Sequence, residues 1–256
     1  GALVQFNLST ADAEQQVVQA GLFGTYSLPD GLSLSSFDAF REAGKLVSTY
    51  AADPDAALQL AKTAKLAAVT YQKNAAMLAT LADVGGTVLA ALDDDVVSGA
   101  VTASGKQGTD TSVAILQAVA EQLKATPAIQ LGELLTNASS LGTVLSTAAT
   151  HSNLLAKYDA NKMTQVAQVI ATANRLIANA SVSAIDGQGN DAKDAIAVLR
   201  GLVAVQQVVQ GESADVLTRY VLGTGSGDPT PNELATGLQT KAASVVVGPI
   251  VPSIFK

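Results

Sequence analysis

The chain has 256 residues, enough for one large domain or two packed halves, and 48% of them are hydrophobic. A formal charge of −7 sets it against nucleic-acid backbones and anionic lipid, and the absence of cysteine excludes disulfides, thiolate metal sites and Cys nucleophiles. Aromatic residues are only 4% and Trp is absent, so the core must be built from Ala, Val and Leu through many close contacts.

In chain order, "STADAEQQVVQAG" reads as a first helix that stops at Gly21, followed by a loop with turn chemistry at Pro29-Asp30-Gly31. A short helix is expected over 35–44. Asp53, Pro54 and Asp55 then give a strong start signal: a cap, a proline suited to the first helical position, and an acid at the positive helix end. The helix they open is expected to end at Gly85-Gly86, with another through "TVLAALDDDVVSGAV". The polar run 102–112 is the expected boundary between halves, 1–101 and 110–222, of a single domain spanning 1–256. Helices are predicted over 112–125, 128–151, 161–180, 190–210 and 212–222. Thr230, Pro231 and Glu233 form a capping box for a last helix to about 244, within a C-terminal helix and tail at 228–256. The β-branched, prolyl tail should be extended. Short connections and the lack of a sustained heptad predict an all-α fold, a multi-helix antiparallel bundle or stacked helical hairpins.

No segment reads as a transmembrane helix; the most apolar run, 242–255, is too short and is broken by Gly248, Pro249 and Pro252. The opening "GALVQFN" suggests a piece of something longer, with neighbouring domains.

Chemistry is sparse. The single histidine, His151, has Ser152 and Asp159 nearby, but a triad is made by geometry and not by adjacency, so His151 is expected to sit at a helix end, exposed or capping carbonyls. Zinc chemistry lacks ligands. Oxygen-ligated calcium has one place to go, "IDGQGNDAKD", where Asp186, Gln188, Asn190 and Asp194 fall at alternate positions of a calcium loop. The loop lacks its closing carboxylate, since Ala197 stands there, and Asp191 replaces the usual glycine. A polar turn capping the helix "DAKDAIAVLRGL" accounts for the same residues, and both readings stay open. Asp93, Asp94 and Asp95 lie about 100° apart on a helix and read as a solvated face. Gly105-Lys106 lacks the rest of a phosphate loop, with Ala100 and Gln107 at positions that need Gly and Ser or Thr.

"GLFGTYSLPDGLSLSSFDAF", the Ala-rich helix after "AADPDAALQLAKTAKLAAVT", "VIATANRLIANA" and "IAVLRGLVAVQQVVQGESADVL" follow one another in an order that resembles the α-helical module of large, Ala-rich, adhesin-like bacterial surface proteins and lipoproteins. Leu28-Pro29-Asp30-Gly31 with Phe37-Asp38, and the helix end Val208-Val209-Gln210-Gly211-Glu212, carry the resemblance over most of residues 10–223. It implies an extracellular or cell-surface location, a protein or surface partner, no established catalysis and no site residue to carry over. Composition points the same way, toward a non-catalytic structural or adhesion module. The rival expectation is a carrier for a small apolar ligand held in a cavity between Ala-rich helices; an enzyme would have to work with Asp, Glu, Lys, Tyr or Ser alone.

Overall fold

A computed structural model describes residues 21–22, 70–93, 105–179 and 213–243, and among these there is no strand. The all-α expectation holds. Seven helices are seen: α1 (Thr70–Asp93), α2 (Gly105–Ala125), α3 (Leu131–Thr136), α4 (Ala138–His151), α5 (Ala160–Asn179), α6 (213–222) and α7 (Pro231–Ala243).

α5 organises the bundle. Met163, Val166, Ala167, Ile170, Ala173, Asn174 and Ile177 are buried at the three- and four-residue spacing that lines one face of a helix. It packs against α3, α4, α7 and the middle of α1. Two long-range bonds set α1 and α5 in opposite directions. Lys73, near the start of α1, donates to the carbonyl of Ala178 at the end of α5. Lys157, just ahead of α5, donates to the carbonyl of Asp93 at the end of α1 (3.3 Å).

Residues 70–93 form one helix, not two parted by Gly85-Gly86. The helix widens into a π turn over Leu81–Gly85 and continues. Neighbouring helices approach closely here, which a sequence cannot display. A Cβ on Gly85 would lie 2.9 Å from Leu145 Cδ2, and one on Gly86 would lie 2.6 Å from Ser112 Oγ. Ser112 Oγ donates to the Ala82 carbonyl (3.1 Å) and Thr111 Oγ1 to that of Gly86 (2.9 Å). The glycines therefore let α2 seat on α1, and its hydroxyls supply partners where the regular ladder is disturbed. Joined in this way, α1 is long and apolar enough to cross a membrane by length and composition alone, as a buried core helix also can be. In the bundle, 83% of its most apolar window is buried.

Two further boundaries differ from expectation. α2 begins at Gly105, so much of the polar run 102–112 is helical. The segment predicted over 128–151 is two helices. Asn137 takes an extended backbone and its side chain accepts from the N–H groups of Ser139 (2.9 Å) and Ser140 (3.1 Å), ending α3 and capping α4 in one residue. The helices expected over 161–180, over 212–222 and from Pro231 to about 244 agree with α5, α6 and α7 to within a residue or two, and the capping box is formed. Glu233 Oε2 accepts from the Thr230 N–H and hydroxyl (both 2.8 Å), bonds that hold its carboxyl below the usual range. The regions predicted as helices 35–44 and 190–210, and the tail 244–256, lie outside the described residues.

Helix ends elsewhere are closed by local chemistry. Asn153 adopts a left-handed backbone (φ 57°), so Leu154 N–H reaches the Ala149 carbonyl (2.7 Å) and its side chain folds into the core. Gly223 (φ 74°) does the same for α6, with Thr224 N–H bonded to the Arg219 carbonyl (2.9 Å).

Candidate functional site

The four residues of the calcium reading, Asp186, Gln188, Asn190 and Asp194, lie outside the described residues. Among the described residues no group of three or more His, Cys, Asp or Glu is placed to hold a metal. His151 ends α4 and is exposed, as expected, with Nε2 3.0 Å from Glu121 Oε1 on α2. It therefore pairs with a carboxylate and does not cap carbonyls. Asp159 is occupied elsewhere, accepting from the N–H groups of Asn161 (2.9 Å) and Lys162 (3.1 Å) at the start of α5, and Ser152 closes the end of α4. The structure does not join His151, Ser152 and Asp159 into a triad.

What it does bring together was missed in the sequence. Where α1, α3 and α5 meet there is an open cavity of about 240 Å³. Lys73, Asn74 and Met77 form one wall, and Gly132, Glu133 and Thr136 another. Ala178 and Thr70 complete it. Lys73 is buried, only 8% exposed, and its amine donates to the Ala178 carbonyl; no carboxylate lies within ion-pair distance of it among the described residues. Burial without a counter-charge disfavours the ammonium, and its pKa falls from 10.5 to about 8.

Acceptors stand both beside the amine and across from it. Asn74 spends its amide nitrogen on the carbonyls of Leu22 (3.0 Å) and Gly21 (3.4 Å), which leaves Oδ1 toward Gly132. A Cβ on Gly132 would lie 3.0 Å from that oxygen, so glycine keeps this wall open. Thr136 Oγ1 donates back to the Gly132 carbonyl (2.9 Å), so its lone pairs remain available as acceptors. The signal in the sequence was Lys73 itself, the one charged residue between Thr70 and Ala82, flanked by Gln72 and Asn74 in an apolar helix.

Lys73 also makes stability depend on pH. Its folded pKa lies below the unfolded value, so between about pH 8 and 10.5 the unfolded chain binds more protons and stability rises with pH. Below pH 8 the full penalty is present. The difference in unfolding free energy between the protein and its Lys73→Met variant, measured by urea melts, should shift in the protein's favour by about 2 kcal/mol across that window. A difference that stays flat would show that the amine is not desolvated.

A second, larger groove of about 570 Å³ runs between α4 and α5, past Ser139, Thr143, Ser146, Tyr158, Thr164 and Gln168. Two of its hydroxyls are turned back on their own helices, Thr143 to Ser139 (3.2 Å) and Thr164 to Ala160 (2.8 Å). Burial raises the pKa of Tyr158.

The chain matches no family model, no curated protein and no solved structure.

Proposed function

We propose that the chain is a non-catalytic helical module of an exported bacterial protein, serving as scaffold, spacer or adhesion unit at the cell surface. The observation behind this reading is how the polar side chains are spent. Lys73, Lys157 and Lys162 each donate to a carbonyl at the end of another helix: Ala178 on α5, Asp93 on α1 and Val221 on α6. Asn137, Asp159 and Thr230 cap helix starts, and Arg219 makes a two-pronged pair with Asp228 across the loop between α6 and α7. These groups fix helix ends to one another, as a module that transmits position requires. The carrier reading has less behind it, because the two cavities described are open to solvent and polar side chains stand among their walls, Lys73 and Glu133 in one and Ser139 and Gln168 in the other. Calcium at Asp186, Gln188, Asn190 and Asp194 belongs to this reading as an expectation and lends it no support.

The test is protease shaving of intact cells that express the full-length gene, followed by blotting with an antibody to this chain. Loss of the signal from intact cells is the expected result. Protection until the cells are lysed would overturn the surface assignment.

A further inference from the structure

We propose that the cavity between α1, α3 and α5 captures small hydroxyaldehydes, with the Lys73 amine forming an imine to the carbonyl carbon and the acceptors around it holding the hydroxyl groups. This goes beyond the scaffold reading and does not depend on it. The inference rests on where one amine sits and what faces it. Lys73 is buried on the wall of an open cavity, anchored by one N–H to the Ala178 carbonyl, with no carboxylate within ion-pair distance among the described residues. A lysine in that setting supplies free amine near neutral pH, the form that attacks carbonyls.

The step balances without an oxidant or reductant. The nitrogen lone pair adds to the carbonyl carbon, and the carbonyl π pair moves to oxygen, which takes a proton. With that first proton drawn from solvent, a second passes from the carbinolamine nitrogen to the same oxygen, which leaves as water while the nitrogen lone pair forms the C=N bond. A protonated imine keeps one N–H, which can remain on the Ala178 carbonyl, and the end of α5 presents its negative pole to that cation. The substrate class follows from the other groups that line the cavity. Asn74 Oδ1, Thr136 Oγ1 and the Glu133 carboxylate are acceptors, so they suit a ligand that donates through hydroxyls.

The experiment uses the whole chain at neutral pH with glyceraldehyde and cyanoborohydride, and in parallel with propionaldehyde, which lacks the hydroxyls. Reduction of the imine adds the mass of one aldehyde less one oxygen atom, and peptide mapping places it. Lys73 should label about tenfold faster than the other ten lysines, because the gain in free amine outweighs the lower intrinsic nucleophilicity of a weaker base. Glyceraldehyde should be preferred over propionaldehyde at Lys73 and at no other lysine. Lys73→Arg should lose the fast label while keeping the helical circular dichroism, and in Gly132→Ala, whose methyl crowds Asn74 Oδ1, the preference should shrink. Labelling at Lys73 no faster than elsewhere overturns the site, and equal rates with the two aldehydes overturn the assigned substrate class. Neither result bears on surface exposure, so the two readings fail separately.

Discussion

Leu145→Ala lowers the free energy of unfolding by about 3 kcal/mol, and adding Gly85→Ala to it restores about 1 kcal/mol. Leu145 is fully buried on α4 and meets α1 at the π turn, so truncation removes a large apolar group and leaves a hole that a close-packed core closes only in part. In the intact protein, Gly85→Ala alone puts its methyl 2.9 Å from Leu145 Cδ2 and 3.2 Å from Ile115 Cδ1. The crowding costs more than the roughly 1 kcal/mol that alanine gains over glycine in a helix, for a net loss of about 1 kcal/mol. With Leu145 cut back, the nearer clash is gone and the methyl fills part of the hole, so the same substitution changes sign. Urea melts of the four proteins, with unchanged slopes, measure the cycle. Simple additivity would show that Gly85 is not there to admit Leu145.

Asn174→Asp is expected to cost about 3 kcal/mol at neutral pH and less than about 1 kcal/mol at pH 4. Asn174 is fully buried on α5 and its Nδ2 donates to the Leu135 carbonyl (2.8 Å), while Oδ1 has no partner. The substitution hardly changes shape, but it sets a buried carboxylate against the Leu135 carbonyl, with no salt bridge to Asn174's position among the described residues. The neutral acid escapes the penalty, because its O–H donates where the amide did. Burial raises the folded pKa of the new carboxyl above the unfolded value near 4. The folded state then holds the proton more tightly, and stability relative to the parent falls as pH rises between the two values, by about 1.4 kcal/mol per unit. Urea melts of both proteins at pH 4, 5.5 and 7 check this, and a gap that does not vary with pH would mean the carboxylate finds water or a cation.

Much of the fold was legible because it is written in periodicity and caps. The stripe from Met163 to Ile177 announces α5, and Thr230, Pro231 and Glu233 mark the start of α7 to the residue. The failures share a cause. Gly85-Gly86 and Asn137 have identical local chemistry whether they stop a helix, let another approach or divide two helices, and only the neighbours decide. Gly105 to Thr111 is polar and glycine-rich, a poor helix former by composition, yet Thr111 is buried with its hydroxyl on the Gly86 carbonyl, and that seat on α1 favours the helical turn that carries it. The Lys73 cavity was hidden for the same reason. A lone lysine in an apolar helix is visible, but Thr136 and Ala178 are remote in sequence, and nothing in the order of residues brings them to it.

The unbroken apolar length of α1 has a consequence for synthesis. Among the described residues, all that covers it except Gly21 and Leu22 comes later in the chain. Its main cover among the described residues is α2, whose end lies 32 residues beyond the end of α1, so at about 5–20 residues per second the helix waits a few seconds for that partner. For that interval the nascent chain presents a helix that a chaperone or a membrane-insertion apparatus would bind, and the timing of α2 decides whether packing begins first.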